Sequence, residues 1–269
     1  ANAVARHGRR EVVGRRHGEA QLGCVVRQIA LKVEERGARN MRVVVISASA
    51  DHVIGKLGAR LGRLQIGRAI VNAQIGVVQM RRSTTIDGLE TTFAVNHLGT
   101  FLLTTLLLER LRRSAPARVV CTASDAHKFS GGSLDFEDLQ SESGYSTFGA
   151  YGRSKLCNIL FTAELGKRER ETGSQVRAYC FHPGFVGSDF VKNNGLVARV
   201  LMTLGRPFAR TSEKGAETGI YLCTSPDVAG ETGGYYFDMK PHEPSDHAKK
   251  AGVAERLWQV SEALTGMAP

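Results

Sequence analysis

Leu102, Leu103, Leu106, Leu107 and Leu111 recur at helical spacing and predict a helix from about Thr91 to Arg113. Ala115-Pro116-Ala117 ends it, since proline cannot continue a helix. Arg118-Val-Val-Cys-Thr-Ala123 follows as a short apolar run of the kind found in buried parallel strands. A polar, glycine-containing loop covers Ser124 to Phe148. Leu156, Ile159, Leu160, Ala163 and Leu165 then mark a second helix from about Gly149 to Thr172, stopped by Gly173. Val176 to Phe181 is the next strand. An irregular stretch from Pro183 to Arg210 contains the apolar run Leu196 to Leu204. Thr211 or Ser212 can cap a helix reaching about Thr224, with Glu213 in its first turn. Gly234-Tyr-Tyr-Phe237 reads as a last strand, and Ala248 to Leu264 as a closing amphipathic helix. Alternating strands and helices predict an α/β fold: a Rossmann-type, doubly wound parallel sheet with helices on both faces.

The first third is less regular. Arg42-Val-Val-Val-Ile46 and Ala69-Ile-Val71 are candidate strands, while Ala1 to Asn40 is Arg-rich with weak periodicity and is expected to be atypical or disordered. Charge divides the chain at the same place. The net charge is +10, yet residues 1–82 carry 16 Lys+Arg against 5 Asp+Glu and residues 83–269 carry 20 against 21. We therefore expect a basic N-terminal part, 1–82, and a catalytic and substrate-binding part, 83–269, of one domain. A binder of nucleic acid along its whole surface would not divide its charge so, and nucleic acid is not expected as a partner.

Cys24, Cys121, Cys157, Cys180 and Cys223 are scattered and form no CxxC pair, which argues against a disulfide framework or a zinc site. No run of about 18–20 apolar residues suggests a membrane span, and the first thirty residues lack a signal-peptide core. A cytoplasmic protein with reduced thiols is the expectation.

Tyr151-Gly-Arg-Ser-Lys155 carries the most chemistry. Positions i and i+4 share a helix face, so a phenol and an ammonium can enter one cleft. A phenol is a poor base at neutral pH, but a nearby ammonium favours the phenolate; bringing its pKa from about 10 to about 7 takes about 4 kcal/mol. Ser124 ends a predicted strand 27 residues earlier, where parallel sheets place their ligands, and its hydroxyl could hold a substrate oxygen. The alternative, a turn serine bonding its own backbone, stays open. Asn96 interrupts an apolar helix; it could kink the helix and hold a water that connects Lys155 to solvent, or bond a neighbouring loop. His182-Pro-Gly184 follows a strand: Pro183 fixes the exit and Gly184 permits close approach of a flat ring, with Ser188 able to bond a carboxamide or phosphate. His127 and His182 match no metal-ligand spacing, so no metal is expected.

In order, Asn96-His-Leu-Gly99, Ser124 after Arg118-Val-Val, Tyr151-x-x-x-Lys155, His182-Pro-Gly184 with Val186 and Ser188, and Gly234-Tyr-Tyr-Phe237 resemble the short-chain dehydrogenase/reductase family. Thr84-Thr-Ile-Asp-Gly-Leu-Glu90, Ser124-Asp-Ala-His127, Leu134-Asp-Phe-Glu-Asp-Leu139, Lys214-Gly-Ala216 and Arg256-Leu-Trp258 resemble its retinol dehydrogenase-like branch. The resemblance implies NADP or NAD as cofactor, and hydride transfer between an apolar alcohol and its aldehyde or ketone. It implies Tyr151 as acid/base and Lys155 as the group that tunes it and holds the nicotinamide ribose. It further implies that Ser124 orients the substrate, that Asn96 supports a water relay, and that Pro183, Gly184, Val186 and Ser188 line the nicotinamide. The Leu196–Leu204 run would suit a lid over a small apolar substrate, and a homodimer through the helices near Asn96 and Tyr151 is a further expectation.

One family feature is missing. The Thr-Gly-x-x-x-Gly-x-Gly turn that cradles pyrophosphate at a helix N-terminus is not found. The nearest stretch, Ala48-Ser-Ala-Asp-His-Val-Ile-Gly55, keeps only its last glycine, and Asp51 would repel phosphate. Val71-Asn72-Ala-Gln-Ile-Gly76 echoes the family's Asn-Asn-Ala-Gly one residue out of step. A shifted reading frame, divergence inside the usual turn, and a genuine replacement each account for it. The rival functional reading is accordingly a non-catalytic remnant with weak cofactor binding and a basic interaction segment.

Overall fold

The computed structural model describes residues 30–38, 41–49, 69–74, 77–186 and 209–267. Seven strands form one sheet among them: β1 (Ala30–Ala38), β2 (Met41–Ser49), β3 (Ala69–Gln74), β4 (Ala117–Thr122), β5 (Val176–Phe181), β6 (Gly234–Phe237) and β7 (Lys240–Pro241), side by side in chain order. The pairs from β2 to β6 are parallel, as the apolar runs predict. The two edges are not: β1 pairs with β2, and β7 with β6, in antiparallel fashion. Only two residues separate β1 from β2, and only two separate β6 from β7. Such short connections permit a hairpin but no parallel crossover, which needs a dozen or more residues.

Among the described residues four helices flank the sheet: α1 (Thr91–Arg113), α2 (Thr147–Glu171), α3 (Ser212–Thr224) and α4 (Val253–Thr265). Alternation along the strands explains why both faces are covered. Val119 and Cys121 of β4, with Ala178 and Cys180 of β5, pack with Phe101, Leu111, Ile159, Phe161 and Trp258 from α1, α2 and α4. Val120, Tyr179 and Phe181 point the other way, against Leu222 of α3 and Tyr236. With both strand faces buried, period-2 patterning vanishes and a continuous apolar run remains.

Glu90 starts α1 by accepting from the N–H groups of Thr92 (2.8 Å) and Phe93 (2.7 Å), so a carboxylate faces the positive end of the helix. By length and composition α1 could cross a membrane, contrary to the expectation from apolar runs alone. Its most apolar window is 78% buried inside the domain, as befits a core helix.

Arg112 at the end of α1 holds Glu169 of α2 through two hydrogen bonds, 3.1 Å from Nε and 2.5 Å from Nη2. Glu169 is fully buried. Removing one partner of a buried pair strands the other charge. Arg112→Ala should therefore destabilise the fold by about 3 kcal/mol, read as a lower urea midpoint at unchanged m-value. A change under about 1 kcal/mol would mean that the pair is effectively solvated.

Candidate active site

Ser124, Tyr151, Lys155 and Asn96 come together beyond the C-terminal ends of β4 and β5, where open parallel sheets bind ligands. The Ala123 N–H donates to Phe181 O (2.8 Å), which carries the strand geometry one residue past β4 and delivers Ser124 to the rim. Ser124 caps the 3-10 helix Asp125–Phe129, accepting from the Ala126 N–H at 3.2 Å, and also bonds the Tyr151 phenol. It is thus a capping serine and a site serine at once. His127 secures the same loop: Nδ1 bonds Ser124 O at 2.7 Å, and Nε2 accepts from the Ser245 N–H at 3.0 Å. With both nitrogens engaged, His127 is structural, and no group of three His, Cys, Asp or Glu among the described residues could hold a metal.

α2 brings the other two groups. Its N-cap is Ser146, so Tyr151 sits in the second turn and Lys155 one turn beyond on the same face. Gly152 lets the helix press on the Ser124 loop: a Cβ there would lie 2.6 Å from Ala126 O. The Lys155 ammonium lies 5.6 Å from the Tyr151 ring centroid and donates to Thr122 O at 3.1 Å.

The electrostatics differ from the expectation of an ammonium-lowered phenol. Burial pushes Tyr151 up to about 12, opposed by the hydrogen bond from Ser124. Burial pushes Lys155 down to about 8, opposed by the neighbouring Cys121. In the free protein desolvation outweighs that hydrogen bond, and Tyr151 is a neutral phenol at pH 7.

Asn96 lies in a π-helical turn, Ala94–Leu98, that offsets the register of α1. The side chain does bond a neighbouring segment: it accepts from the Val77 N–H (2.7 Å) and donates to Val77 O (3.0 Å) and to Ser154 Oγ (2.9 Å). Its main-chain carbonyl faces α2 and accepts from Thr100 Oγ1 (3.0 Å) and Asn158 Nδ2 (3.1 Å). Ser154 and Asn158 are site residues that the motif reading passed over. The available signal was a polar stripe at helical spacing, Tyr151, Ser154, Lys155, Asn158 and Thr162, inside a helix whose apolar positions already filled its other faces.

Pro183, Gly184 and Val186 continue from β5. Gly184 has φ +83°, and the atoms nearest its missing side chain are Arg210 Cδ (2.6 Å) and Nε (2.7 Å), so the close approach there is made by an arginine. Arg210 pairs with both carboxylate oxygens of Asp238 and lies 4.7 Å over the Phe237 ring. Ser188 and the Leu196–Leu204 run lie outside the described residues, as do 50–55 and 75–76, where a pyrophosphate cradle was sought. A buried ammonium, a phenol and the buried, unpartnered Thr122 Oγ1 at the sheet rim fit the nicotinamide–ribose end of a dinucleotide. Tyr151, Lys155 and the Pro183–Val186 stretch are the residues that could hold it.

No family model matches the chain. The chain is 46% identical over 192 residues to retinol dehydrogenase 12 of Mus musculus, covering 71% of this chain and 59% of that protein. It is 44% identical over 195 residues to retinol dehydrogenase 14 of Mus musculus, covering 71% and 57%. It is 43% identical over 186 residues to the WW domain-containing oxidoreductase of Gallus gallus, covering 67% and 44%. The chain thus spans less than two thirds of the length of these relatives. A crystal structure of an uncharacterized protein from Mycobacterium paratuberculosis superposes with a TM-score of 0.56 at 32% identity, covering 75% of this chain and 69% of that one. With this similarity and the ordered motifs on the sheet rim, the chain belongs to the short-chain dehydrogenase/reductase family, in its retinol dehydrogenase-like branch.

Proposed function

We propose that this protein interconverts an apolar alcohol and its aldehyde or ketone with NADP or NAD, Tyr151 moving the proton. The observation that carries the reading is the juxtaposition of the Tyr151 phenol with the Ser124 hydroxyl and the buried Lys155 ammonium. The names of the relatives, retinol dehydrogenases, point to an apolar alcohol as substrate. The four described cysteines, Cys121, Cys157, Cys180 and Cys223, are free and buried, which fits a reducing compartment such as the cytoplasm.

A nicotinamide held by Tyr151, Lys155 and the Pro183–Val186 stretch would supply or accept the hydride at the carbonyl carbon. This chain's residues manage the oxygen. Ser124 donates a hydrogen bond to the substrate oxygen and fixes it beside Tyr151. In reduction the phenol gives its proton to that oxygen as charge develops there, and Lys155 stabilises the phenolate left behind. A phenol held near 12 is protonated at pH 7, the form that gives a proton in reduction.

The pH dependence follows. Lys155 loses its charge above about pH 8, whereas Tyr151 stays protonated until much higher pH. kcat/KM for aldehyde reduction reports ionisations of the free enzyme. It should be level near pH 7 and fall about tenfold per pH unit above about 8. A profile level to pH 10 would contradict a role for the ammonium. Fluorescence titration with NADPH and NADH tests the cofactor half of the reading. Binding of either in the micromolar range supports it. Absence of binding to both would leave the non-catalytic form of the fold, the reading that the missing glycine-rich turn favours.

A further inference from the structure

Asn158 is fully buried one turn beyond Lys155, and its amide nitrogen is aimed at two carbonyls beside the site. Its Nδ2 donates to Asn96 O at 3.1 Å and to Thr122 O at 3.4 Å. Thr122 O is also the acceptor for the Lys155 ammonium. Asn158 Oδ1 and His97 Nδ1 are both buried without a hydrogen-bond partner, and the Asn158 side chain lies near enough to oppose the lowering of His97 by its burial. His97 Nε2 is 2.8 Å from Ser261 Oγ of α4, so α4 holds the His97 ring in place beside Asn158. The chemistry of the neighbours sets the amide orientation: an oxygen facing two carbonyl oxygens would find no donor, so the NH2 group must face them.

We propose that Asn158 is a positioning residue for Lys155, tying the π turn of α1 to the end of β4 and sharing with the ammonium the carbonyl that holds it. This rests on Lys155 serving the reaction assigned above. Two positive hydrogens competing for one oxygen weaken each other's hold. Removing the amide leaves Thr122 O wholly to Lys155, which favours the charged form of the lysine. The other titratable groups near this point keep their charge between about pH 6 and 9. Cys121 on β4 is pushed up to about 12, His97 on α1 down to about 4, and Tyr151 up to about 12, each chiefly by burial. Lys155 is the group that titrates there.

The test uses the full chain labelled with ε-13C-lysine, without cofactor, and the Lys155 resonance identified by its loss in Lys155→Met. In the unsubstituted protein Lys155 titrates near pH 8. In Asn158→Leu and Asn158→Ser it should titrate distinctly higher, toward the ordinary lysine value of about 10.4. The alkaline fall of kcat/KM should move upward with it, and kcat/KM at pH 7 should drop roughly tenfold through misplacement of the ammonium. Thr162→Val is the control: Thr162 Oγ1 donates to Asn158 O at 2.8 Å on the same buried face, so its loss perturbs packing without touching either shared carbonyl. It should lower the melting temperature and leave the Lys155 titration where it was. An unchanged Lys155 titration in both Asn158 variants overturns the proposal, as does an equal shift in Thr162→Val. If Lys155 titrates higher as expected but no aldehyde or ketone is reduced by the unsubstituted protein, the positioning role stands and the assigned reaction falls.

Discussion

Tyr151→Phe should lower kcat/KM for an apolar aldehyde by about 10³-fold or more, because it deletes the one group placed to give a proton to the substrate oxygen. The ring remains, and with it the packing of the second turn of α2 against the Ser124 loop. What the fold loses is one hydrogen bond to Ser124, worth about 1 kcal/mol. Burial of the phenol works the other way, since a hydroxyl in a poorly solvated site costs free energy that phenylalanine does not. The urea midpoint should therefore move little while turnover collapses. The Lys155 titration should also persist near pH 8, because its main cause is the burial of Lys155 itself and not the phenol. The pairing of a silent stability readout with a lost rate separates catalysis from folding. Retained turnover in a folded Tyr151→Phe protein would remove Tyr151 from the reaction, whatever the fate of the fold.

Much of this architecture was legible in the chain because burial imprints pattern. The helix expected at Thr91–Arg113 has those ends, and the strands expected at 176–181 and 234–237 have theirs. Pro116 just beyond α1 and Gly173 between α2 and β5 mark such boundaries by local chemistry alone. The edge strands were not legible. β1 lies within Ala1–Asn40, where periodicity is weak and an atypical or disordered part was expected, and its antiparallel pairing with β2 follows from a connection too short for a crossover. The site was legible where chemistry is carried by motif, as in Tyr151 and Lys155. It was not legible where chemistry comes from a residue that would be ordinary elsewhere. Asn158 reads as a polar residue in a helix until Thr122 O and Asn96 O, from two other elements, are seen to need it. The balance of forces was likewise beyond the motif. A spacing of four places an ammonium beside a phenol, but only the packing shows that burial pushes the phenol up in the free protein.

Gly152→Ala should cost about 10- to 100-fold in kcat/KM, although alanine is intrinsically the better helix former by about 1 kcal/mol. The new Cβ would lie 2.6 Å from Ala126 O and 3.0 Å from Phe129 C and Ser130 N. All three are backbone atoms of the loop that carries Ser124, so no side-chain rotation can relieve the contact. Either α2 or the loop must move by several tenths of an ångström. Ala126 bonds Ser124 Oγ directly, so a displaced loop carries the serine away from Tyr151. Because the reacting oxygen must meet both hydroxyls at once, the rate responds more steeply to this displacement than stability does. Gly149 supplies the contrast within the same helix. The atoms nearest a Cβ there are Ser146 side-chain atoms at 3.4 and 3.5 Å and Arg153 Nη1 at 3.6 Å, ordinary contact distances. Gly149→Ala should leave kcat/KM within about twofold and raise stability by up to about 1 kcal/mol through helix propensity alone. If both substitutions proved neutral for turnover, the Ser124 loop would be free to shift without consequence. The close approach of α2 to that loop would then no longer explain how the serine and the tyrosine are held together.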